Sequence, residues 1–260
     1  MGTAKQIVVK PISSKDANAI IKSLHYSGKT VQNSQLHLGV FLDGKCGGAM
    51  QFGPSLDKRK MLGLVRGTLW NEFIELNRMA FADWLPRNGE SRALGYAFRW
   101  MRKQYPHIKW CVSFADGTQC GDGTIYRASG FVLTAINKSF NLVRLPNGEV
   151  IHKMTLESNP LQKRPELAGK SYYDITGGKY DLAKYTKYIK GDVIPGFQLR
   201  YVYFLHESAK QDLTVPILPF SEIDRQGAGM YKGVHRVRSV DSDISTSQVE
   251  EGGANPTRTL

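Results

Sequence analysis

Ile108-Lys109-Trp110-Cys111-Val112-Ser113-Phe114-Ala115-Asp116-Gly117, then Gly123-Thr124-Ile125-Tyr126-Arg127-Ala128-Ser129-Gly130-Phe131, is the stretch on which the reading of this chain turns. Ile108 to Ala115 is a short, almost wholly apolar run and reads as a buried strand, which Asp116-Gly117 breaks. A glycine-rich loop through Gly123 feeds a short helix, Ile125 to Ser129. Gly130 stops that helix, because glycine enters the left-handed backbone region without steric cost. Asp116 thus ends a buried strand at its carboxyl edge, where open α/β sheets bind ligands.

Upstream, residues 7–12 predict a first strand, and Ser13 with Asp16 has capping-box spacing for a helix carrying Ala17, Ile20, Ile21 and Leu24 on one stripe. That helix stops before His25-Tyr26-Ser27-Gly28. Leu36, Leu38, Val40 and Leu42 alternate as a strand, Asp43-Gly44 makes a hairpin turn, and Cys46 to Phe52 returns. Phe73 to Phe81 is another strand, in which Arg78 has the numerical parity of Ile74 and Leu76. After Arg87-Asn88-Gly89-Glu90, Ser91 reads as the N-cap of a helix that ends by Pro106, with Leu94, Ala97, Phe98 and Met101 buried. A hairpin is expected around Pro146-Asn147-Gly148, an irregular Lys- and Tyr-rich stretch over 157–196, and a strand from Phe197 to Leu205. The order predicts one mixed α/β sheet with helices on both faces. We divide the chain into a catalytic core (1–156), a basic insertion with a core-completing strand (157–205), an extension (206–240) and a disordered acidic tail (241–260).

The formal net charge is +12 over 260 residues. The last 20 residues hold Asp241, Asp243, Glu250 and Glu251 against Arg258, which leaves +15 on the other 240. Such a surplus points to a polyanion, since each phosphate neutralised releases counterions. No apolar run is long enough to span a bilayer, and the N-terminus lacks a signal-peptide core. Three cysteines (Cys46, Cys111, Cys120) without C-x-x-C spacing predict neither disulfides nor zinc, hence a reducing, cytoplasmic setting.

Two resemblances meet in the middle of the chain. Tyr126-x-x-x-Gly130-Phe131 resembles the tyrosine-bearing fourth helix of GNAT acetyltransferases. In that superfamily such a tyrosine protonates the departing coenzyme A thiolate. The loop with Arg87, Asn88, Gly89 and Ser91 sits where those proteins hold a pyrophosphate, before a helix N-terminus with free N–H groups. It is shorter than their pattern and has one glycine. His25-Tyr26, Glu75-Leu76-Asn77-Arg78, and Ser113-Phe114-Ala115-Asp116 with Gly123 through Phe131 resemble the Mom family of phage DNA-modification proteins, over roughly residues 5 to 205. This second resemblance implies a GNAT-like fold and conversion of adenine in double-stranded DNA to an N6-carbamoylmethyl derivative, which protects phage DNA from host restriction. It implies site residues Tyr26, Arg78, Asp116 and Tyr126, with His25 beside them.

The exocyclic nitrogen of adenine is a weak nucleophile and is unreachable inside a duplex, so the base must be flipped and positioned. In this reading Asp116 takes the proton of the amino group, and Tyr126 donates a proton or stacks on the base. Arg78 needs an anion: Asp116, a cofactor phosphate or DNA. The plainer readings are an Asp-Gly turn, a tyrosine packed on the sheet, and a surface arginine. An acyl-CoA-type donor is implied, although acetyl-coenzyme A alone cannot supply the amide nitrogen. Iron or another metal would require His25, Tyr26 and Asp116 to converge. Lys179, Lys184, Lys187 and Lys190 interleave with tyrosines as a DNA groove requires, or line the solvated face of a helix over 181–190. The competing function is a GNAT N-acetyltransferase of protein, RNA or a small amine.

Overall fold

A computed structural model of the chain describes residues 3–118, 121–157, 159–164, 169–231 and 234–235. Cys120 and the acidic stretch 241–260 lie outside the described residues. The elements run β1 (Val8–Pro11), α1 (Ser14–Leu24), β2 (Leu36–Leu42), β3 (Lys45–Gly53), α2 (Lys58–Leu62), β4 (Phe73–Phe81), α3 (Gly89–Gln104), β5 (Trp110–Asp116) and α4 (Thr124–Ala128). They continue through β6 (Val132–Arg144), β7 (Val150–His152), α5 (Lys153–Glu157), α6 (Tyr172–Thr176), α7 (Leu182–Ile189), β8 (Asp192–Phe204), α8 (Ser208–Gln211) and α9 (Ser221–Arg225). These eight strands form one mixed sheet in the order β1-β2-β3-β4-β5-β8-β6-β7, and Met230–Tyr231 pairs with Val234–His235 in a separate two-stranded sheet.

Local chemistry places these elements where the sequence predicts them. Ser13 caps α1, its Oγ accepting from Asp16 N at 3.1 Å. Asp43 and Gly44 both take positive φ, 49° and 77°, as a two-residue hairpin with the twist of its strands requires. At α3 the helix begins earlier than expected: Asn88, at φ 65°, is the N-cap, and Ser91 lies in the first turn with its Oγ donating to Asn88 O.

Alternation along the strands builds two apolar faces. One packs Met50, Phe52, Leu76, Cys111, Ala115, Leu199 and Tyr201 against Leu94, Ala97, Phe98 and Met101 of α3. On the other, Ala49 and Ala80 meet Ala17 and Ile21 of α1, while Phe73, Trp110, Val112 and Val202 meet Met61, Leu64 and Val65 at α2. The mixed sheet with helices on both faces is therefore as expected.

Two features go beyond or differ from the sequence reading. β8, the strand expected to complete the core, pairs with both β5 and β6 and so lies inside the sheet, a place the sequence reading left open. The stretch expected to be irregular contains α6, which was not foreseen, and α7, which matches the helix read as the alternative over 181–190; both pack with Leu156 of α5 and Val143, Leu145 and Ile151 of the β6–β7 hairpin around Tyr172 and Tyr185. The chain after β8 returns to the α3 face, where Leu218 pairs with Leu133 and Ile223 and Ala228 enter the core.

Gly123, at φ 67°, introduces α4, and a Cβ added there would lie 2.7 Å from the Tyr201 ring. Gly123→Ala is expected to lower stability by about 1–3 kcal/mol and to displace the first turn of α4. A thermal melt matching wild type would show that the ring does not hold this loop.

Candidate active site

β4 and β5 are the parallel pair of the sheet, and their ladder is short: Phe73↔Trp110, Ile74↔Cys111, Glu75↔Val112. Beyond it each strand keeps only its outer partner, β4 following β3 as far as Phe81 and β5 following β8 as far as Asp116. The two strands thus part, and the candidate catalytic residues are set around this opening.

A bulge in β4 decides which way they point. Phe52 pairs with Leu76 but Gln51 with Arg78, so Asn77 is the extra residue. The alternation shifts by one, and Arg78 joins Ala80 on the α1 face rather than sharing a side with Ile74 and Leu76 as its parity predicts. Its Nη1 donates to Asn77 O at 2.8 Å, while its Nε is buried without a hydrogen-bond partner among the described residues.

The end of α1 supplies the other wall. His25 is the C-cap, its backbone N–H donating to Ile21 O. Ser27 N donates to His25 Nδ1 at 3.2 Å, and Ser27 Oγ lies 2.8 Å from the same nitrogen. A nitrogen that accepts a backbone N–H carries no proton, so the neutral ring holds its proton on Nε2. Burial, and then the charge of Arg78, push the imidazole down from 6.5 to about 4. The Tyr26 ring lies 4.3 Å from that of His25, tilted, and is 60% exposed.

Glu75 is the carboxylate in the field of Arg78. Burial raises it above the ordinary carboxylate range, against the opposing pull of Ser55, Asn77 and Arg78. Asp116 alternates onto the side of Trp110 and Val112, and its Oδ1 accepts from Thr118 N at 3.0 Å, so the turn role is satisfied. Its charge also acts on His152, whose imidazole burial pushes down and whose surroundings include Lys29 and Glu157. Lys29, four residues beyond His25, donates to Thr155 Oγ1 at 2.6 Å and ties the His25 loop to α5.

Tyr126 lies on the opposite, α3 face. Its ring stacks on Tyr201 with centroids 4.9 Å apart, and Tyr201 Oη donates to Asp122 O at 2.6 Å. Ser113 Oγ stands 3.0 Å from the Tyr126 hydroxyl and 3.3 Å from Leu76 O across the parting strands. The single Ser113 proton serves one of these at a time. When it is given to Tyr126, the phenol oxygen is the acceptor. His25, Tyr26, Arg78 and Glu75 are therefore gathered on one face with Asp116 at its edge, and Tyr126 reaches the same opening from behind.

At α3, no side-chain group caps the helix start. Arg87 and Asn88 are exposed, whereas Gly89 is buried against Ile7. Among the described residues no group of three or more His, Cys, Asp and Glu side chains stands close enough to hold a metal. No described helix is long and apolar enough to cross a membrane. Lys179, Lys184, Lys187 and Lys190 are exposed, but Tyr172 and Tyr185 beside them are buried, so the interleaving is largely an amphipathic helix over its core. Glu75 and Ser113 were not among the expected site residues. The signal for Glu75 was an acid in an otherwise apolar strand run.

A model of the Mom protein family matches residues 6–222, past β8 and into the extension that the resemblance had left out. Over 215 residues the chain is 34% identical to the methylcarbamoylase mom of Escherichia phage Mu, covering 82% of each chain. Among solved structures, it is similar to the ribosomal-protein-S18-alanine N-acetyltransferase of Escherichia coli, at 10% identity and a TM-score of 0.41 over 77% of this chain and 94% of that one. It is likewise similar to an IAA acetyltransferase of Bacillus cereus, at 11% identity and a TM-score of 0.42 over 76% and 99%. On the extent of the family match and of the identity to the phage Mu protein, the chain belongs to the Mom protein family.

Proposed function

We propose that this protein modifies DNA, converting adenine in double-stranded phage DNA to an N6-carbamoylmethyl derivative in the host cytoplasm and so shielding it from restriction. The observation that carries this reading is the 34% identity, over 82% of both chains, to a phage protein named as a methylcarbamoylase. Nucleoside mass spectrometry of DNA from cells expressing the chain tests it. A modified adenine nucleoside is expected, and unmodified adenine throughout would overturn it.

The geometry supports specific roles. Adenine flipped against the α1 face meets Tyr26, exposed and able to stack on it, and His25 Nε2–H, a neutral donor suited to a ring nitrogen. Asp116 takes the amino proton. Arg78, with a buried donor unmet, holds an anionic group of the donor or of DNA. Tyr126 supplies a proton from the far side of the parted strands. An acyl-CoA-type donor fits the uncapped first turn of α3, with Arg87, Asn88, Gly89 and Ser91 around its pyrophosphate. When bound, such a donor supplies an activated carbon, while the residues above orient the base and move its protons. Among the described residues no cluster of three or more His, Cys, Asp and Glu side chains accompanies His25, Tyr26 and Asp116, and no step is assigned to iron.

Asp116→Asn keeps the bond to Thr118 N but removes basicity, and Tyr126→Phe keeps the stack on Tyr201. Both variants should fold and bind DNA, with modification lowered about 10² to 10⁴-fold. An Asp116→Asn protein with wild-type activity would remove the proposed base. For Tyr126, activity retained in the Phe variant and lost in Tyr126→Ala would make it a stacking residue.

His25 binds its proton less readily folded than unfolded, because its value falls from 6.5 to about 4. Its contribution to stability is therefore complete above about pH 6.5 and is lost as pH falls toward 4. His25→Asn should flatten the melting-temperature profile over that window, and a profile of unchanged slope would contradict the assigned burial.

Neutralising Lys179, Lys184, Lys187 and Lys190 together should weaken DNA binding for every sequence and lower the salt slope by about 3 to 4. Unchanged affinity and slope would reduce α7 to a solvated face.

A further inference from the structure

The link between β3 and β4, residues 54–72, carries a surface that none of these roles uses. Leu56, Leu69 and Trp70 are 87, 67 and 51% exposed. Lys58 Nζ lies 4.6 Å from the centroid of the Trp70 ring and 5.7 Å from that of Phe73. This contact sets the stretch around Leu56 beside Leu69 and Trp70. Arg59, Lys60 and Arg66 are exposed on the same link, and burial lowers the Lys58 ammonium, a cation short of solvent. The acids of the link are engaged: Asp57 Oδ1 accepts from Lys60 N at 3.2 Å, and Glu72 pairs with Lys109 at 2.8 Å.

The underside of the link is rigid. Met61, Leu64 and Val65 are buried with Phe73 and Trp110, and Trp110 Nε1 donates to Thr68 Oγ1 at 3.1 Å. The exposed side chains therefore stand on a packed base. Ser55, next to Leu56, faces Glu75, on the strand that carries Arg78. At its Leu56 end the surface borders Glu75 of the candidate site, and from there it runs to Leu69 and Trp70, ahead of Phe73 at the paired end of the β4–β5 ladder.

Bulky apolar side chains set among cations next to a site are suited to a duplex whose bases must be parted. We infer that Leu56, Leu69 and Trp70 form a wedge that enters the base stack of double-stranded DNA next to the target adenine, with Lys58, Arg59, Lys60 and Arg66 on the flanking phosphates. This rests on the DNA-modifying reading. An apolar wedge takes over the stacking that the extruded base gives up and keeps the gap from closing, while the cations fix the register of the strand.

The test uses the full chain and a duplex copied from a stretch that the wild type modifies in cells, with 2-aminopurine in place of the modified adenine. Its fluorescence rises when it leaves the stack. Wild type should bind and raise the signal. Leu56→Ser/Leu69→Ser/Trp70→Ala should lose that rise and modify cellular DNA at least about tenfold less, while binding within about threefold of wild type a duplex in which the target lies opposite an abasic site and is already unpaired. Arg59→Gln/Lys60→Gln/Arg66→Gln should lower the salt slope of binding by about 2 to 3. A wedge variant that raises fluorescence and modifies DNA like wild type overturns the wedge and leaves the DNA reading intact. Equal loss of binding to both duplexes also overturns it, by showing general damage. If the wild type modifies no DNA in cells, the DNA reading falls and the wedge falls with it.

Discussion

The structure depends on β4 and β5 leaving each other after the pair Glu75↔Val112. A parallel pair inside a sheet ordinarily continues, because each unmet backbone donor or acceptor is costly away from water. Here both strands stay anchored on their outer sides, β4 to β3 and β5 to β8, and the divergence opens the centre of an otherwise continuous sheet. The bulge at Asn77 lies on β4 at the start of the opening and turns Arg78 across it. Ser113 spans it to Leu76 O and passes the contact on to Tyr126.

The opening sorts charge from aromatic groups. On the α1 face, the electrostatic set is His25, Arg78 and Glu75, with Asp116, His152 and Lys29 following toward α5. All but the exposed Lys29 are partly shielded from water. Burial keeps His25 neutral beside a cation and raises Glu75 despite that same cation. On the α3 face the partners are rings: Tyr126, Tyr201, Phe131 and Phe220. Under the proposed function, base and donor need not compete for one pocket, since each approaches from its own side of a single gap.

Most strands and helices of residues 7–152 were legible because each has its own local cause: Ser13 as a cap, Asp43-Gly44 as a hairpin, Gly130 as a stop. What was not legible depends on pairing between distant segments. The parity of Arg78 is a local count, and the bulge that reverses it exists only against β3. The site of β8 inside the sheet is likewise a matter of partners, since its own pattern fits a centre or an edge. In residues 157–196 the helices are short, and Pro160, Pro165 and Gly177-Gly178 hide their period. Their stability comes from a shared core with the β6–β7 hairpin, which no window of sequence displays. Among the candidate residues, Tyr26 and Arg78 were named together and are found on one face. Asp116 and Tyr126, ten residues apart on one strand–loop–helix unit, are directed to opposite faces.

The fate of the aromatic residues also bears on where a nucleic acid is met. In the Lys-rich segment, Tyr172 and Tyr185 hold a core together and Tyr188 is bonded to Lys170, its hydroxyl 2.6 Å from Nζ. Tyr172 and Tyr185, buried in this way, are not available as stacking platforms, whereas Tyr180 and Tyr188 are exposed among the lysines. Exposed rings outside that segment include Tyr26 on the end of α1 and Trp70 on the β3–β4 link. Charge spread over the surface gives affinity that depends on salt but not on where a base lies. A ring at the end of α1, as Tyr26 is, can act on one nucleotide, and under the proposed function the chemistry belongs to the gap between β4 and β5 rather than to the more conspicuous basic segment.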